Sequence, residues 1–364
     1  MRRREIIAAF AAMAAVWPPP VRAQRGGRKL WRVGHLIGGT PAGTSRVSVG
    51  LIEGLRDLGY IEGRDYVIEY RYAEGRYDRF PELAAELVRL NVDVVVLGTP
   101  AAIPAMRNAT STIPIIMSNV SDPVGSGFVS SLARPGGNVT GLATSHESTT
   151  AKQIEFLSEI LPKLSRIGVL ANPDSPTTVP GLATVQAAAR QVVVELWRAD
   201  ARNADEIDTA FVQFAQQHVE AVVVITDAVF ALHRRRIAEL AMKARLPTTF
   251  AHREYVVDGG TLSYGYDIKD FLRRSAALVD KIFKGANPAD LPIEQPTRFF
   301  LTINLKTARA IGLKLPESFL LRADEVIEQG WACCDCSQPQ LAIADISMLG
   351  RMTASGAAAV TCHI

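Results

Sequence analysis

The sequence predicts an α/β protein built from two doubly wound, Rossmann-like lobes joined by hinge crossovers. Three observations predict it. Short apolar strands alternate with amphipathic helical segments. Runs such as Val92-Asp93-Val94-Val95-Val96-Leu97 are close to continuously apolar, as in strands covered on both faces. The alternation then occurs a second time with similar spacing, which indicates parallel βα units in two similar lobes.

In the first half, strands centre near Val33, Val67, Val94 and Ile115, at intervals of 34, 27 and 21 residues. Leu51, Leu55 and Leu58 form one helical stripe between them, and Phe80, Leu83, Ala84 and Leu87 form the next. In the second half, strands centre near Val169, Leu196, Val223 and Thr249, at intervals of 27, 27 and 26. Ile207, Phe211 and Phe214 mark one helix there, and Ile237, Leu240 and Ala241 another. After Thr261 follow a further strand, a helix carrying Ile268, Leu272, Val279 and Ile282, and a last strand–helix pair over 299–311. These additional elements imply that the chain crosses back between the lobes. The expected division is 24–143 with about 263–290 for the first lobe, and 144–262 with about 291–328 for the second.

In open α/β sheets ligands sit beyond the carboxyl ends of the strands, so the loops there supply the candidate site. The first is Gly38-Gly39-Thr40-Pro41-Ala42-Gly43-Thr44, which has neither the GxGxxG order nor GK[ST]. A flexible loop presenting amides and hydroxyls fits it, with Gly38 and Thr40 as contacts; a plain connection fits equally. Gly98-Thr99-Pro100-Ala101-Ala102 opens a helix, with Thr99 suited to the N-cap and Pro100 to the first turn. Thr99 and Ala101 would then offer a carboxylate site. Ser121 and Asp122 end the fourth strand, Asp122 either accepting a ligand amine or capping a helix from Val124. The second-lobe counterparts are Asn172, then Thr226 and Asp227, where Asp227 is again an amine acceptor or a cap. Tyr264 and Tyr266 either line an aromatic pocket or pack the core, because alternate strand residues face opposite sides.

The 364 residues are 48% hydrophobic, 21% charged and 7% aromatic, ordinary globular values. The net charge of +3 comes from the N-terminus: removing its four arginines and one acid leaves 36 basic and 36 acidic residues. A balanced body has no electrostatic footprint for nucleic acid. Residues 1–23 have the form of an export signal: Arg2-Arg3-Arg4, an apolar stretch of 12 residues over 6–17, three prolines, and Val21-Arg22-Ala23 before Gln24. Arg3-Arg4-Glu5-Ile6-Ile7 also loosely fits a twin-arginine signal, so the export route stays open. A protein acting in the periplasm is expected. Cys333, Cys334, Cys336 and Cys362 all lie in 329–364, a segment expected to be a disordered tail rather than a zinc site. The remainder, free of cysteine, has no thiol nucleophile, its histidines form no HxH or HxxxH pair, and no GxSxG elbow occurs. Neither a metal nor a cofactor is expected. His35, beside the first loop, is either a ligand contact or structural.

The runs Val120-Ser121-Asp122-Pro123-Val124-Gly125-Ser126-Gly127 and Ser131-Leu132-Ala133-Arg134-Pro135-Gly136-Gly137-Asn138-Val139-Thr140-Gly141 resemble the extracytoplasmic substrate-binding proteins of ABC transporters, in the group labelled tryptophan/tyrosine-type. Asp258-Gly259-Gly260, Ser263-Tyr264-Gly265, Lys284-Gly285-Ala286-Asn287-Pro288, Asn304-Leu305-Lys306-Thr307-Ala308 and the stretch ending at Glu328 extend the match. The resemblance implies a periplasmic-binding-protein type I fold and a role in delivering a small ligand to a membrane permease. It also implies that the loops at Thr99, Ser121-Asp122, Asn172, Asp227 and Tyr264 line the cleft. Two departures stand out: 36 residues follow Glu328, and Ala189-Arg190-Gln191-Val192 lacks the glycine turn expected before the next strand.

The expected function is therefore that of a solute-binding protein, acting as a monomer, with a small-molecule ligand and an ABC permease as partners. The ligand would be polar, an amino acid or related carboxylate, and no catalysis is expected. A periplasmic hydrolase or isomerase using the same cleft is the rival reading, and a sensory ligand-binding protein a third.

Overall fold

A computed structural model of the chain describes residues 29–328, apart from positions 145 and 297. The expected export signal and the cysteine-bearing tail lie outside the described residues. In the first half, β1 (Trp31–Ile37), β2 (Tyr66–Tyr72), β3 (Val94–Leu97), β4 (Ile115–Val120) and β5 (Val139–Ala143) alternate with α1 (Pro41–Asp57), α2 (Phe80–Arg89) and α3 (Ile103–Ala109). The second half runs α4 (His146–Ile160), β6 (Arg166–Ala171), α5 (Thr178–Val192), β7 (Glu195–Asp200), α6 (Ala204–Gln216), β8 (Ala221–Val224), α7 (Ala228–Leu232), α8 (Arg234–Ala244), β9 (Thr248–Phe250), α9 (Arg253–Val257) and β10 (Leu262–Gly265). The chain continues through α10 (Ile268–Phe283), β11 (Phe300–Asn304), α11 (Leu305–Ala310), α12 (Glu317–Leu320) and β12 (Glu325–Ile327).

Among the described residues the strands form two sheets, β2-β1-β3-β4-β5 and β12-β11-β10-β9-β8-β6-β7. The first is parallel throughout, and so is the β7-to-β10 part of the second. Both parts share one order, 2-1-3-4-5, so the repeat in the sequence is a repeat of topology. β11 then adds antiparallel to β10, and β12 parallel to β11.

The unbroken apolar runs are buried throughout, as in β3 and β8, and β4 is buried as well although it ends in Ser118, Asn119 and Val120. Phe80, Leu83, Ala84 and Leu87 pack α2 on the first sheet, and Ile207, Phe211 and Phe214 pack α6 on the second. Leu51 and Leu55 are likewise fully buried, but Leu58 is 45% exposed because α1 stops at Asp57. The glycine-rich stretch expected as a loop is shorter than it looks, since Pro41 already occupies the first helical turn, where its missing N–H costs nothing.

Two helices mark the crossings between the sheets. α4 follows the first sheet but buries Ile154, Phe156, Leu157 and Ile160 against the second. α10 follows the second sheet but buries Phe271, Leu272, Ala276 and Val279 against the first, packed along α1. Gly50 and Gly54 permit that pairing: a Cβ on either would lie 2.2 or 2.3 Å from the Lys269 or Arg273 carbonyl oxygen. β10 belongs to the second sheet, so the return to the first lobe comes after Gly265. Residues beyond 290 still belong to the first, where Leu291 accepts a hydrogen bond from Thr140 and Glu294 bridges to Leu142. No helix among the described residues is long and apolar enough to cross a membrane.

Candidate functional site

With strand order 2-1-3-4-5 in each lobe, the switch points fall between β1 and β3 and between β6 and β8. The strand ends there face one another across a cavity of about 250 Å³. Its walls come from the segments after β1, β3 and β4 on one side and after β6, β8 and β9 on the other. A second recess of about 390 Å³ lies beside Arg253, Asp267, Asp324 and Glu325 in the second lobe. Its carboxylates are already engaged, Asp267 capping α10, Asp324 accepting from the Leu301 amide and Glu325 pairing with Arg253. The interlobe cavity is therefore the candidate site.

Of the residues expected from the sequence, Thr99, Ala101, Ser121, Thr226 and Asp227 lie on its wall. Thr99 stands at the N-cap position but caps nothing; its hydroxyl accepts from the Gly38 amide at 2.8 Å, tying the β1 and β3 loops together. Gly38 sits just behind the wall, to which Gly39 rather than Thr40 contributes. Asn172 is buried behind Asp227 and donates to its Oδ1 at 3.1 Å.

Asp227 is 6% exposed and heavily used. Its Oδ1 accepts from Asn172 and from the Val229 amide at 2.8 Å, capping α7, and its Oδ2 accepts from the Tyr77 hydroxyl of the other lobe. Of the two sequence readings of Asp227, the cap is present, and the same carboxylate lies on the cavity wall.

Three expectations are corrected. Asp122 is exposed and off the wall; its Oδ1 accepts from the Gly125 amide at 2.7 Å, closing a turn, and no helix starts at Val124. Tyr264 points into the second lobe, edge-on to Phe156 with centroids 5.4 Å apart, because α4 covers that face of β10. Tyr266 is buried against Phe271 of α10, its hydroxyl donating to Asn119 Oδ1, so it braces the crossover instead of facing the cavity.

Several wall residues were not anticipated. Tyr77 follows β2 on a short turn, and Gln153 of α4 reaches back to donate to the Phe250 and Tyr264 carbonyls at 3.0 and 2.8 Å. Glu254 and Tyr255 come from α9. Burial pushes the Glu254 carboxyl above its ordinary value. It also raises the Tyr77 and Tyr255 phenols, helped by the charge of Asp227, so both stay protonated. His35 lines the cavity at 1% exposure, and burial lowers its pKa to about 4. The neutral ring donates from Nδ1 to the Val96 carbonyl at 2.9 Å and accepts from the Ser48 hydroxyl at Nε2. No cluster of His, Cys, Asp and Glu able to hold a metal ion occurs among the described residues.

Two similar α/β lobes facing each other across a solute-sized, mainly apolar cavity with a few convergent polar groups define a two-lobed solute-binding protein. The chain belongs to the ABC transporter substrate-binding protein family, whose profile matches residues 41–327. Members of that family bind a small molecule outside the cytoplasm and deliver it to an ABC transporter. The chain is 26% identical over 266 residues to a tyrosine-binding protein of Clostridioides difficile, covering 73% of this chain and 76% of that protein. A Vibrio cholerae conserved domain protein superposes with a TM-score of 0.77 at 28% identity, covering 82% of this chain and all of the other. The ABC domain of Streptococcus pneumonia in complex with L-Trp superposes with a TM-score of 0.76 at 25% identity and the same coverage. The type I binding-protein fold expected from the sequence is the fold observed.

Proposed function

We propose that this chain is an exported periplasmic receptor that closes around an aromatic α-amino acid and presents it, unchanged, to an ABC permease. The observation that carries this reading is the composition of the interlobe wall. Hydroxyls and amides of the first-lobe strand ends (Thr99, Ala101, Ser121) oppose the buried Asp227 and half-buried Glu254 of the second, and Ile37, Phe128, Val185 and Ile225 also line the cavity. A zwitterion needs both polar poles, and an aromatic side chain needs the apolar span. At about 250 Å³ the cavity is slightly smaller than the usual range for ligand pockets, about 300–1,000 Å³, which suits an amino acid better than a peptide. The relatives named for tyrosine and for L-Trp support the same class.

Closure follows from differential affinity: a ligand touching both walls stabilises the closed form, whereas in an open form it touches one. Thermal unfolding against the amino acids and their analogues tests the reading. A true ligand at about 100 times its Kd adds about 2.7 kcal/mol of stability, which raises Tm by several degrees. Failure of every aromatic amino acid to raise Tm would overturn it. Mass spectrometry of exported protein should find Gln24 at the mature N-terminus, and light scattering should find a monomer with and without ligand.

A further inference from the structure

α9 begins at Arg253 and brings two polar side chains to the cavity in its first turn, Glu254 and Tyr255. The Tyr255 ring is held by stacking on Phe250, centroids 4.6 Å apart and planes 19° from parallel. The residue is only 4% exposed, and its hydroxyl is buried with no hydrogen-bond partner among the described residues. A buried hydroxyl left in that state costs stability unless something supplies the missing bond. Glu254 is half-buried, and its carboxylate receives its own backbone N–H but no side-chain donor among the described residues.

The rest of this corner is committed elsewhere. Asp227 already accepts from Tyr77, Asn172 and the Val229 amide. Arg234, the nearby cation on the wall, is paired with Asp258 through Nε and donates from Nη1 to the Ala231 carbonyl at 2.8 Å. Arg235 pairs with Asp258 as well, at 3.2 Å. Glu254 and Asp227 therefore leave the corner negative, and the Tyr255 oxygen remains free to accept. A ligand carboxylate placed here would meet two like charges. A primary ammonium carries a positive charge and three N–H donors, which is what the open acceptors lack.

Resting on the amino-acid reading above, we propose that the ligand's α-ammonium docks on the first turn of α9, donating to the Glu254 carboxylate and to the Tyr255 hydroxyl oxygen. Asp227 then fastens the lobes rather than reading the amine.

The test is titration calorimetry on the full chain with L-tyrosine and L-tryptophan, and with their counterparts lacking the amine, 3-(4-hydroxyphenyl)propanoate and 3-(indol-3-yl)propanoate. Glu254→Gln should weaken amino-acid binding by about 10- to 100-fold and change binding of the amine-free acids by less than about threefold. Tyr255→Phe should weaken amino-acid binding while leaving the ligand-free Tm unchanged or higher, since it removes a hydroxyl that has no partner. Should Glu254→Gln not fold, Tyr255→Phe and Glu254→Asp decide the matter. Variants that fold and keep the wild-type preference for amino acid over amine-free acid overturn the proposal. Wild type that binds neither amino acid overturns the amino-acid reading itself, a separate and earlier failure.

Discussion

The Tyr77 hydroxyl donates a hydrogen bond to the Asp227 carboxylate, joining two residues 150 positions apart and on opposite lobes. Tyr77 is held by stacking on Phe80, and Asp227 by Asn172 and the first turn of α7. Neither partner can follow the other if the lobes part, so the bond contributes to the closed arrangement alone. Hydrogen bonds to charged groups contribute about 1.5–3 kcal/mol, so Tyr77→Phe should lower amino-acid affinity by at least about tenfold. The loss should appear mainly as faster ligand release in stopped-flow fluorescence. An unchanged Kd would show that the bond has no part in the liganded form.

Gly38 marks a second point of interlobe contact. A Cβ there would stand 2.7 Å from Thr99 Oγ1 and 2.8 Å from the Cβ of Ala228 in the opposite lobe. The alanine methyl of Ala228 has no rotamer to escape into, so Gly38→Ala acts as a wedge in the closed form. Overpacking of this kind costs about 1–3 kcal/mol, which predicts about a 5- to 150-fold loss of affinity. Ligand-free Tm should move little, because neither lobe's core is touched. Small-angle scattering should show the variant more extended with saturating ligand than wild type; identical curves would rule the wedge out.

The βα alternation was readable because strands covered on both faces must be apolar, and the strand-end rule then reached Thr99, Ala101, Ser121, Thr226 and Asp227. Other features depended on packing that periodicity does not encode. β12 is three residues long and β5 contains Gly141, so neither carries a recognisable period. Which face of β10 Tyr264 takes is decided by α4, which precedes β6 and packs Phe156 against that strand. Gln153 reaches the cavity from α4, which crosses to the second sheet, and Glu254 and Tyr255 reach it from the short α9 after β9. A signal for Glu254 and Tyr255 existed nonetheless: they come four and five residues after Phe250, which ends the fourth strand of the second repeat, in the segment whose first-repeat counterpart begins at Ser121.

His35 sets a pH dependence whose sign can be worked out. Buried and neutral in the folded protein, it titrates at about 4, against 6.5 for an exposed ring. Between those values the unfolded chain binds a proton that the folded chain refuses, so stability falls as pH falls through this window. Above pH 7 and below about pH 4 the contribution is flat, and the total loss is on the order of 3 kcal/mol. Glutamine at this position can still donate to the Val96 carbonyl but cannot titrate. Urea unfolding of His35→Gln and wild type at pH 7.5 and 4.5 should therefore converge toward low pH by that amount. A constant difference between them would mean that His35 is protonated in the folded state.

Val193 answers the question raised by the missing glycine after α5. It occupies the left-handed C-cap with φ 56° and ψ 47°, its amide donating to the Ala189 carbonyl, and it is 89% exposed. The turn geometry is the usual one for a helix end; only the residue is unusual, since a left-handed conformation costs a non-glycine residue about 1–2 kcal/mol and a β-branched one tolerates it poorly. With so little of the side chain packed, its removal forfeits almost no burial. Val193→Gly should therefore stabilise the protein by about 0.5–1 kcal/mol, the relief of strain being partly offset by the larger entropy of the unfolded chain. Val193→Asn should gain a similar amount, because asparagine accepts this conformation with less freedom to lose. Arg245 caps α8 at nearly the same angles, φ 55° and ψ 36°, without a branched Cβ. Arg245→Gly should consequently gain less than Val193→Gly. Equal gains at the two sites would place the cost in the left-handed backbone itself, and a loss at Val193 would show that its exposed methyls contribute to stability after all.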